Sequence, residues 1–207
     1  GVCTVPDDAK TGIVAIGAGA RFAYAIRSDN TVIGWGKNDF AQTTIPGTAI
    51  NVTAVDGGAR HAVALLSDGT VVGWGDNSSG QSRPPDGLSN IVAVSAGEDH
   101  SCALSNIGEV TCWGAGKSKP AAWGNIPKGD KNKDFVKIAA GRFCTLAIKV
   151  DGTLVYWGKE EFASFGKVPI TNAIVVASDN QNSVVGLSNN GVRVTGNNFE
   201  GVFTTRT

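Results

Sequence analysis

Short apolar runs recur along the chain at a fixed spacing. Five of them alternate apolar with small or polar residues and open successive segments at 13–16, 52–55, 91–94, 136–139 and 174–177. After each come small residues, two variable residues, a second apolar run such as 61–65, a turn, and a third run. Runs of this length with a period of two, bounded by Gly, Asn, Asp and Pro, predict strands rather than helices.

The third run of each unit ends at a landmark. It is a Trp-Gly pair in four units, at Trp35-Gly36, Trp74-Gly75, Trp113-Gly114 and Trp157-Gly158, and Thr195-Gly196 in the fifth. The turn before it ends in glycine in four of the five units, as in Ser67-Asp68-Gly69, and carries Asp29-Asn30 in the first unit. Gly and Asn both tolerate the positive φ that a tight hairpin needs. The landmarks define a repeat of about 39 residues.

A unit this short cannot bury its own apolar face and must stack on its neighbours. We therefore predict an all-β fold, a five-bladed β-propeller that forms one domain over residues 1–207. Its repeat units are approximately 13–51, 52–90, 91–135, 136–173, and 174–207 plus 1–12. Because Cys3-Thr4-Val5-Pro6 matches the return segment Thr43-Thr44-Ile45-Pro46, we expect the N-terminal segment to complete the last blade and close the ring.

One unit carries the clearest family pattern. Gly58-Ala59-Arg60-His61 is followed by Asp68-Gly69-Thr70, by Trp74 to Gln81, and by Pro84-Pro85. This pattern, which covers nearly the whole chain, resembles the regulator-of-chromosome-condensation repeat superfamily, and its short units are most similar in style to the secreted β-lactamase inhibitor protein II type of β-propeller. The resemblance implies a propeller. Propellers of this superfamily serve as nucleotide-exchange factors, photoreceptors or enzyme inhibitors, and the best-known examples have seven blades.

Composition narrows the function classes. Lys plus Arg and Asp plus Glu both number 18, so the chain lacks the basic surplus typical of proteins that bind nucleic acid or acidic membranes. No apolar run approaches 18 residues, so a transmembrane helix is not expected. Met is absent and the sequence begins Gly1-Val2-Cys3, which suggests removal of a signal peptide, although trimming of the sequence would give the same start.

Four cysteines allow three pairings. If the third hairpin turns through Asn106-Ile107-Gly108, Cys102 lies opposite Cys112, and Cys3 and Cys144 pair by exclusion; a two-residue turn would put Cys102 and Cys112 on opposite faces. The even number of cysteines, the absence of Met and the fold favour an oxidising compartment, and hence a secreted or extracellular protein. Asn51 and Asn77 begin glycosylation sequons, which matter only in a eukaryotic source.

Candidate catalytic groups are sparse. His61 and His100 occupy the same place in successive units, where the other units carry Phe22, Cys144 and Ser183, so we predict a structural role in which each bonds a neighbouring backbone group. Ser101 beside His100 gives no triad, because neighbours on a strand point to opposite faces. The sequence shows no phosphate-binding loop, dinucleotide fingerprint or metal-ligand spacing. We predict a protein that is not an enzyme, with no cofactor and no metal.

Two sets of residues are candidates for binding. The recurring Trp residues invite a sugar-binding role, but their single repeat position favours packing between blades. The more informative set is the pair of variable residues before each second strand. Four of the five pairs contain a charged residue. In a propeller, the loops that carry these pairs gather on one face around the axis, and loops on a rigid framework are where binding function concentrates. These pairs are Ala20-Arg21, Ala59-Arg60, Glu98-Asp99, Arg142-Phe143 and Gln181-Asn182. A solvated rim is the alternative interpretation.

The sequence leaves two functional hypotheses from different classes. The first is a secreted, monomeric, non-enzymatic module that docks one propeller face on a protein partner, such as a secreted enzyme that it inhibits. Its contact residues would be Arg21, Arg60, Glu98, Asp99, Arg142 and Phe143, with Trp123 in the insertion at 121–134 as an outlying anchor. The second is a lectin with sugar sites between blades. The polar loop residues differ between units, which speaks against repeated sugar sites.

Overall fold

A computed structural model describes residues 4–114, 132–158, 170–178, 182–189, 191–196 and 199–204. These residues contain sixteen strands and one helical segment, the three-residue 3-10 turn Asp7–Ala9. The first three sheets consist of β1 (Ile13–Ala18), β2 (Phe22–Arg27) and β3 (Val32–Gly36); β4 (Val52–Gly57), β5 (His61–Leu66) and β6 (Val71–Gly75); and β7 (Ile91–Ala96), β8 (His100–Ser105) and β9 (Val110–Gly114). The last two consist of β10 (Phe135–Ala140), β11 (Cys144–Lys149) and β12 (Leu154–Gly158); and β13 (Ala173–Ser178), β14 (Asn182–Leu187), β15 (Gly191–Gly196) and β16 (Phe199–Thr204).

Each predicted unit forms one antiparallel sheet with its strands in chain order. The first strand of every sheet carries a bulge after its first residue, and the bulged residue is exposed in each case: Val14, Thr53, Val92, Val136 and Ile174. The hairpin turns contain the predicted positive φ, at Asn30 (64°) and Gly69 (79°) for example. The all-β fold of five repeated sheets is therefore confirmed. No helix of the described residues is long and apolar enough to cross a membrane.

The sheets stack face to face in chain order. Phe22, Tyr24 and Ile26 of β2 form one buried cluster with side chains of the second sheet, among them Val55 and Trp74. A backbone bond repeats at every step: the first strand of each later sheet donates an N–H to the turn of the sheet before it. The four pairs are Val52 N to Asn30 O (3.0 Å), Ile91 N to Gly69 O (3.0 Å), Phe135 N to Gly108 O (3.1 Å) and Ala173 N to Gly152 O (3.0 Å).

The two ends of the stack differ from its middle. In the described part of the chain, β13 and β1 are not among the strands that pack closely on each other, and Ile16 on the first sheet is 79% exposed. The outer edge of the fifth sheet is paired by β16 from the C-terminal region, where we had expected the N-terminal segment. Closure of the ring by residues 1–12 therefore stays a prediction.

The fifth sheet corrects one predicted equivalence. Gly196 pairs with Asn182, just as Gly75 pairs with His61, whereas Ser183 pairs with Thr195. Asn182 thus takes the repeat position of His61, and the prediction that Ser183 takes it is wrong by one residue. Because the fifth unit lacks the Trp anchor, nothing in its sequence fixed the register, and a shift of one residue exchanges the two faces of a strand.

The third hairpin has the bulged turn that one pairing of the cysteines requires. Gly108 has a φ of 78°, and Cys102 lies opposite Cys112 in the register of β8 and β9. The two cysteines form a disulfide with their Cα atoms 4.1 Å apart, which confirms this pair. Cys144 is buried, and Cys3 lies outside the described residues, so the Cys3–Cys144 pair stays a prediction.

Candidate functional site

The loops between the first and second strands meet at one end of the stack. The Ala20 N–H donates to the Gly58 carbonyl (3.1 Å), the Ala59 N–H to the Glu98 carbonyl (3.3 Å), and the Glu98 N–H to the Gly141 carbonyl (3.2 Å). These bonds join the loops of the first four sheets into a series, as predicted. We call the surface formed by residues 20–21, 59–60, 98–99 and 142–143 the variable-loop face.

Arg21 and Arg60 hold the same repeat position on adjacent sheets, and both are exposed. Their backbones are fixed, because the Arg21 carbonyl accepts from the Lys37 N–H (2.8 Å) and the Arg60 carbonyl accepts from the Asp76 N–H (2.9 Å). A rigid backbone therefore carries two long, solvent-facing cationic side chains.

Phe40 is a site residue that the sequence analysis missed. The Arg60 guanidinium lies 4.7 Å from the centroid of the Phe40 ring, and Phe40 is 38% exposed. A cation over an aromatic face is attracted by the ring quadrupole. A comparison of the units indicates Phe40, because the next unit lacks both members of this contact. It carries Ser79 at the position of Phe40 and Asp99 at the position of Arg60.

Buried glutamines hold the loop that carries Phe40. The Gln42 side chain is fully buried; its Oε1 accepts from the Phe40 N–H (2.8 Å), and its carbonyl accepts from the Trp74 indole (2.8 Å) and the Tyr24 hydroxyl. Gln81 repeats this arrangement one unit later, with the Trp113 indole donating to its carbonyl (3.0 Å). Trp74 and Trp113 therefore join neighbouring units, as the packing interpretation predicted.

The charged residues of the third and fourth sheets neutralise each other in part. Arg142 Nε lies 3.1 Å from Glu98 Oε2, and the Arg142 guanidinium lies 4.7 Å from the centroid of the Phe143 ring. All three side chains are half-buried, as is Asp99. The structure thus divides the predicted contact residues into an exposed arginine pair and a partly buried cluster in which Arg142 offsets Glu98. Trp123 and Gln181 lie outside the described residues.

The Nε2 atoms of the two histidines bond hydroxyl side chains of the next sheet. His61 Nε2 lies 2.8 Å from Ser101 Oγ, and His100 Nε2 lies 2.9 Å from Thr145 Oγ1. Ser101 donates its single proton to the Gln81 carbonyl (2.8 Å), so His61 Nε2 carries the proton of the first bond.

This histidine–serine contact does not form a catalytic site. Both histidines are buried, and burial lowers the pKa of each from 6.5 to about 4, with nearby Asp99 opposing the shift. Ser101 is fully buried and its proton is engaged, so no substrate can reach it. The contact joins the second sheet to the third.

Asp56 makes a second link between sheets. Its carboxylate accepts from its neighbour Gly57 N–H (2.9 Å), the Ala96 N–H (2.8 Å) and the Ser95 hydroxyl (3.0 Å), while Ser95 Oγ accepts from the Ala140 N–H (2.9 Å). Burial raises the pKa of Asp56. The chain of bonds crosses β4, β7 and β10. Among the described residues, no group of three or more His, Cys, Asp or Glu is placed to hold a metal ion.

Two cavities among the described residues lie away from the variable-loop face. One of about 650 Å³ opens on the outward side of the first sheet, where Ile16, Ala23 and Trp35 contribute to its lining. Another of about 380 Å³ lies between the fourth and fifth sheets at the hairpin-turn end, beside Val150 and Ile174. Neither cavity brings together polar groups from the variable loops.

Comparison with known proteins identifies the repeat. Residues 13–42, 52–81 and 91–118 match the model of the regulator of chromosome condensation (RCC1) repeat. A search of curated protein sequences gave no significant match.

Solved structures share the fold. Human WBSCR16 aligns with a TM-score of 0.66 and 22% identity over 89% of this chain and 61% of its own. The CRINKLY WD40 ectodomain of the Arabidopsis thaliana receptor kinase ACR4 aligns with a TM-score of 0.71 and 22% identity, over 93% of this chain and 68% of its own. Prp20p from Saccharomyces cerevisiae, described with its binding to Gsp1p and histones, aligns with a TM-score of 0.71 and 18% identity, over 92% of this chain and 58% of its own. The chain thus spans about three fifths of the length of WBSCR16 and Prp20p. At this identity the likeness establishes the propeller-type fold alone.

Proposed function

Because three segments of the chain match the model of the regulator of chromosome condensation (RCC1) repeat, we propose that it is a protein-binding module and that the variable-loop face is its docking surface. The observation that carries this proposal is the exposed pair Arg21 and Arg60, with Phe40 beneath Arg60. Arginine and aromatic side chains are enriched among the residues that dominate binding at protein interfaces. A rigid framework that carries variable loops is a common design for such surfaces.

The scaffold does not require these side chains. The loops of the first four sheets are joined through backbone N–H and carbonyl groups, which do not depend on the identity of the variable side chains. The position of Arg60 holds Asp99 in the third sheet and Phe143 in the fourth, while the strand pairing around it is unchanged. Side chains that vary on a constant backbone are available for recognition.

The partner in this proposal is a protein. The related fold of Prp20p is described with binding to Gsp1p and histones, and yeast RCC1 (Prp20) has been solved bound to Kap60. Equal numbers of acidic and basic residues give this chain no net positive charge that would favour a nucleic-acid partner. We propose a non-enzymatic role, such as inhibition of a secreted enzyme, exerted by a monomer.

Secretion is part of the proposal. The Cys102–Cys112 disulfide supports it, because disulfides form and persist in oxidising compartments. The balanced charge adds no competing signal for a nuclear or membrane-surface site.

Affinity capture from secreted extracts tests the docking face. The wild-type chain is compared with a variant that carries alanine at Arg21, Arg60, Asp99 and Arg142, and retained proteins are identified by mass spectrometry. Arg83→Ala with Asp86→Ala serves as the matched control, since both residues are exposed and lie outside the variable-loop face. Melting temperatures confirm that all three proteins are folded.

Two outcomes separate the functional hypotheses. A single protein retained by the wild type and the control, but lost by the four-alanine variant, supports the docking face. Glycoproteins retained equally by all three proteins and released by free sugar would instead establish the sugar-binding alternative.

A further inference from the structure

Arg21 and Arg60 take no part in the ion pairs of the described residues. Arg27 lies 3.2 Å from Asp8, Lys37 lies 2.9 Å from Asp39, and Arg142 lies 3.1 Å from Glu98. Within the described ranges, neither Arg21 nor Arg60 has an acidic side chain within 4.0 Å. Two positive charges, one repeat apart on adjacent sheets, therefore lie on the variable-loop face with no described acidic side chain at ion-pair distance.

This charge is local. The whole chain has a formal net charge of zero, so the arginine pair does not reflect a generally basic surface. On the same face, the third sheet carries Glu98 and Asp99, and Arg142 offsets Glu98. The face is thus basic over the first two sheets and acidic over the third.

Phe40 makes the arginine pair more than a solvated charge. Its ring holds the Arg60 guanidinium at 4.7 Å, and the buried amide of Gln42 fixes the Phe40 backbone. Stacking occupies the face of a guanidinium and leaves its N–H edge available for a carboxylate. A side chain held in place before binding loses less entropy when the complex forms.

We infer that the docking segment of the partner is an acidic, extended polypeptide that binds across the first two sheets. This inference rests on the proposed function. One carboxylate pairs with Arg21 and another with Arg60, each through the parallel N–H bonds that favour arginine–carboxylate contacts. An apolar side chain between them packs on the exposed edge of Phe40, and Asp99 repels the segment from the third sheet.

A synthetic peptide provides the direct test. The probe is a fluorescein-labelled peptide of alternating Glu and Leu, and the same peptide with Gln in place of Glu is its neutral control. Fluorescence anisotropy measures binding to the purified chain at low and at physiological salt. We expect the Glu peptide to bind about tenfold more tightly than the Gln peptide, and its affinity to fall as salt rises.

Variants locate the binding. Arg21→Ala with Arg60→Ala should weaken the Glu peptide about tenfold or more, because two charge-assisted contacts are lost. Phe40→Ser, which installs the residue of the next unit, should weaken it several-fold, on the order of one aromatic contact. Arg83→Ala removes one exposed arginine outside the face and should leave affinity within about twofold.

Other results would overturn the inference. These are the absence of Glu-peptide binding at low salt, equal binding by the double-alanine variant, or equally strong binding of inorganic polyphosphate or single-stranded DNA at physiological salt. If the peptide fails while the four-alanine variant still loses a captured partner, the docking face stands and the acidic segment is rejected. If the variant keeps its partner, the docking face itself is wrong.

Discussion

Ile16 and Val55 occupy the same position of the first strand in adjacent sheets, yet Ile16 is 79% exposed and Val55 is 6% exposed. The first sheet supplies the cover for Val55, through the cluster that contains Phe22 and Tyr24. Ile16 faces away from the second sheet, beside the cavity on the outward side of the first sheet. Burial at this position thus depends on a preceding sheet and not on the side chain itself.

Alanine at these two positions should have unequal effects. Val55→Ala should lower the free energy of unfolding by about 2 kcal/mol, because it removes buried methyl groups from a packed interface. Ile16→Ala should change it by less than about 0.5 kcal/mol. Urea unfolding measures both. A cost at Ile16 close to that at Val55 would show that the first sheet is covered in solution, as closure of the ring requires.

Acid should destabilise the protein through its histidines. In the folded state the pKa of His61 and of His100 is about 4, below the unfolded value of 6.5, so the unfolded chain binds more protons between these limits. The free energy of unfolding should therefore fall as pH drops from about 6.5 to about 4, by about 3 kcal/mol for each histidine. Urea midpoints across this range give the measurement.

A histidine variant separates this effect from other titrations. His61→Gln removes one titrating group, so its stability should vary less with pH than that of the wild type by about 3 kcal/mol. Asp56, whose pKa burial raises, contributes with the opposite sign in both proteins and cancels in the comparison. Identical pH profiles for the two proteins would contradict a depressed pKa at His61.

Gly58 should not tolerate a side chain. A Cβ built there would lie 2.2 Å from the Gly97 carbonyl oxygen of the next sheet and 2.4 Å from the His61 ring. Because the conflict is with backbone as well as a buried ring, Gly58→Ala should cost more than about 2 kcal/mol. Gly47→Ala is the matched control, since nothing lies within 4 Å of its added Cβ. Equal melting temperatures for the two variants would refute the close approach of the sheets.

Reduction of the Cys102–Cys112 disulfide should lower stability without dismantling the fold. The bond closes a short hairpin, for which the loss is about 2–3 kcal/mol, or roughly 5–10 °C in a protein of this size. Calorimetry with and without reductant measures the shift. Peptide mapping of the unreduced protein adds a check on connectivity: Cys102 joined to any cysteine other than Cys112 would contradict the register, and a Cys3–Cys144 peptide would complete the predicted pairing.

Much of the fold followed from repetition. The Trp-Gly landmarks and the turns that contain Gly or Asn placed the strands of the first four sheets, because a position that recurs four times is constrained each time by the same neighbours. Prediction of the Cys102–Cys112 pair depended on the type of the third hairpin turn, which the positive φ of Gly108 decides. The fifth unit lacks the Trp residue of the Trp-Gly pair, and our prediction of the register of its second strand was wrong by one residue.

The candidate site was less accessible from sequence. The pairing of Arg142 with Glu98 joins residues 44 positions apart, so nothing local revealed that these charges offset each other. Phe40 could have been found by asking where a unit departs from its neighbours, since Ser79 holds its place in the next unit. The hydroxyl partners of the histidines lie on the next sheet, and sequence alone does not show which faces meet.

The backbone bond that joins each hairpin turn to the following sheet is the same at all four steps. A gene segment that encodes one unit, such as residues 52–90, could therefore be duplicated in frame and would meet the same donor and the same acceptor at both of its boundaries. Lengthening of the stack by duplication requires no new interface to evolve. Each added copy also brings one more pair of variable positions, so recognition in such a lineage can diversify by unequal crossing-over as readily as by point mutation.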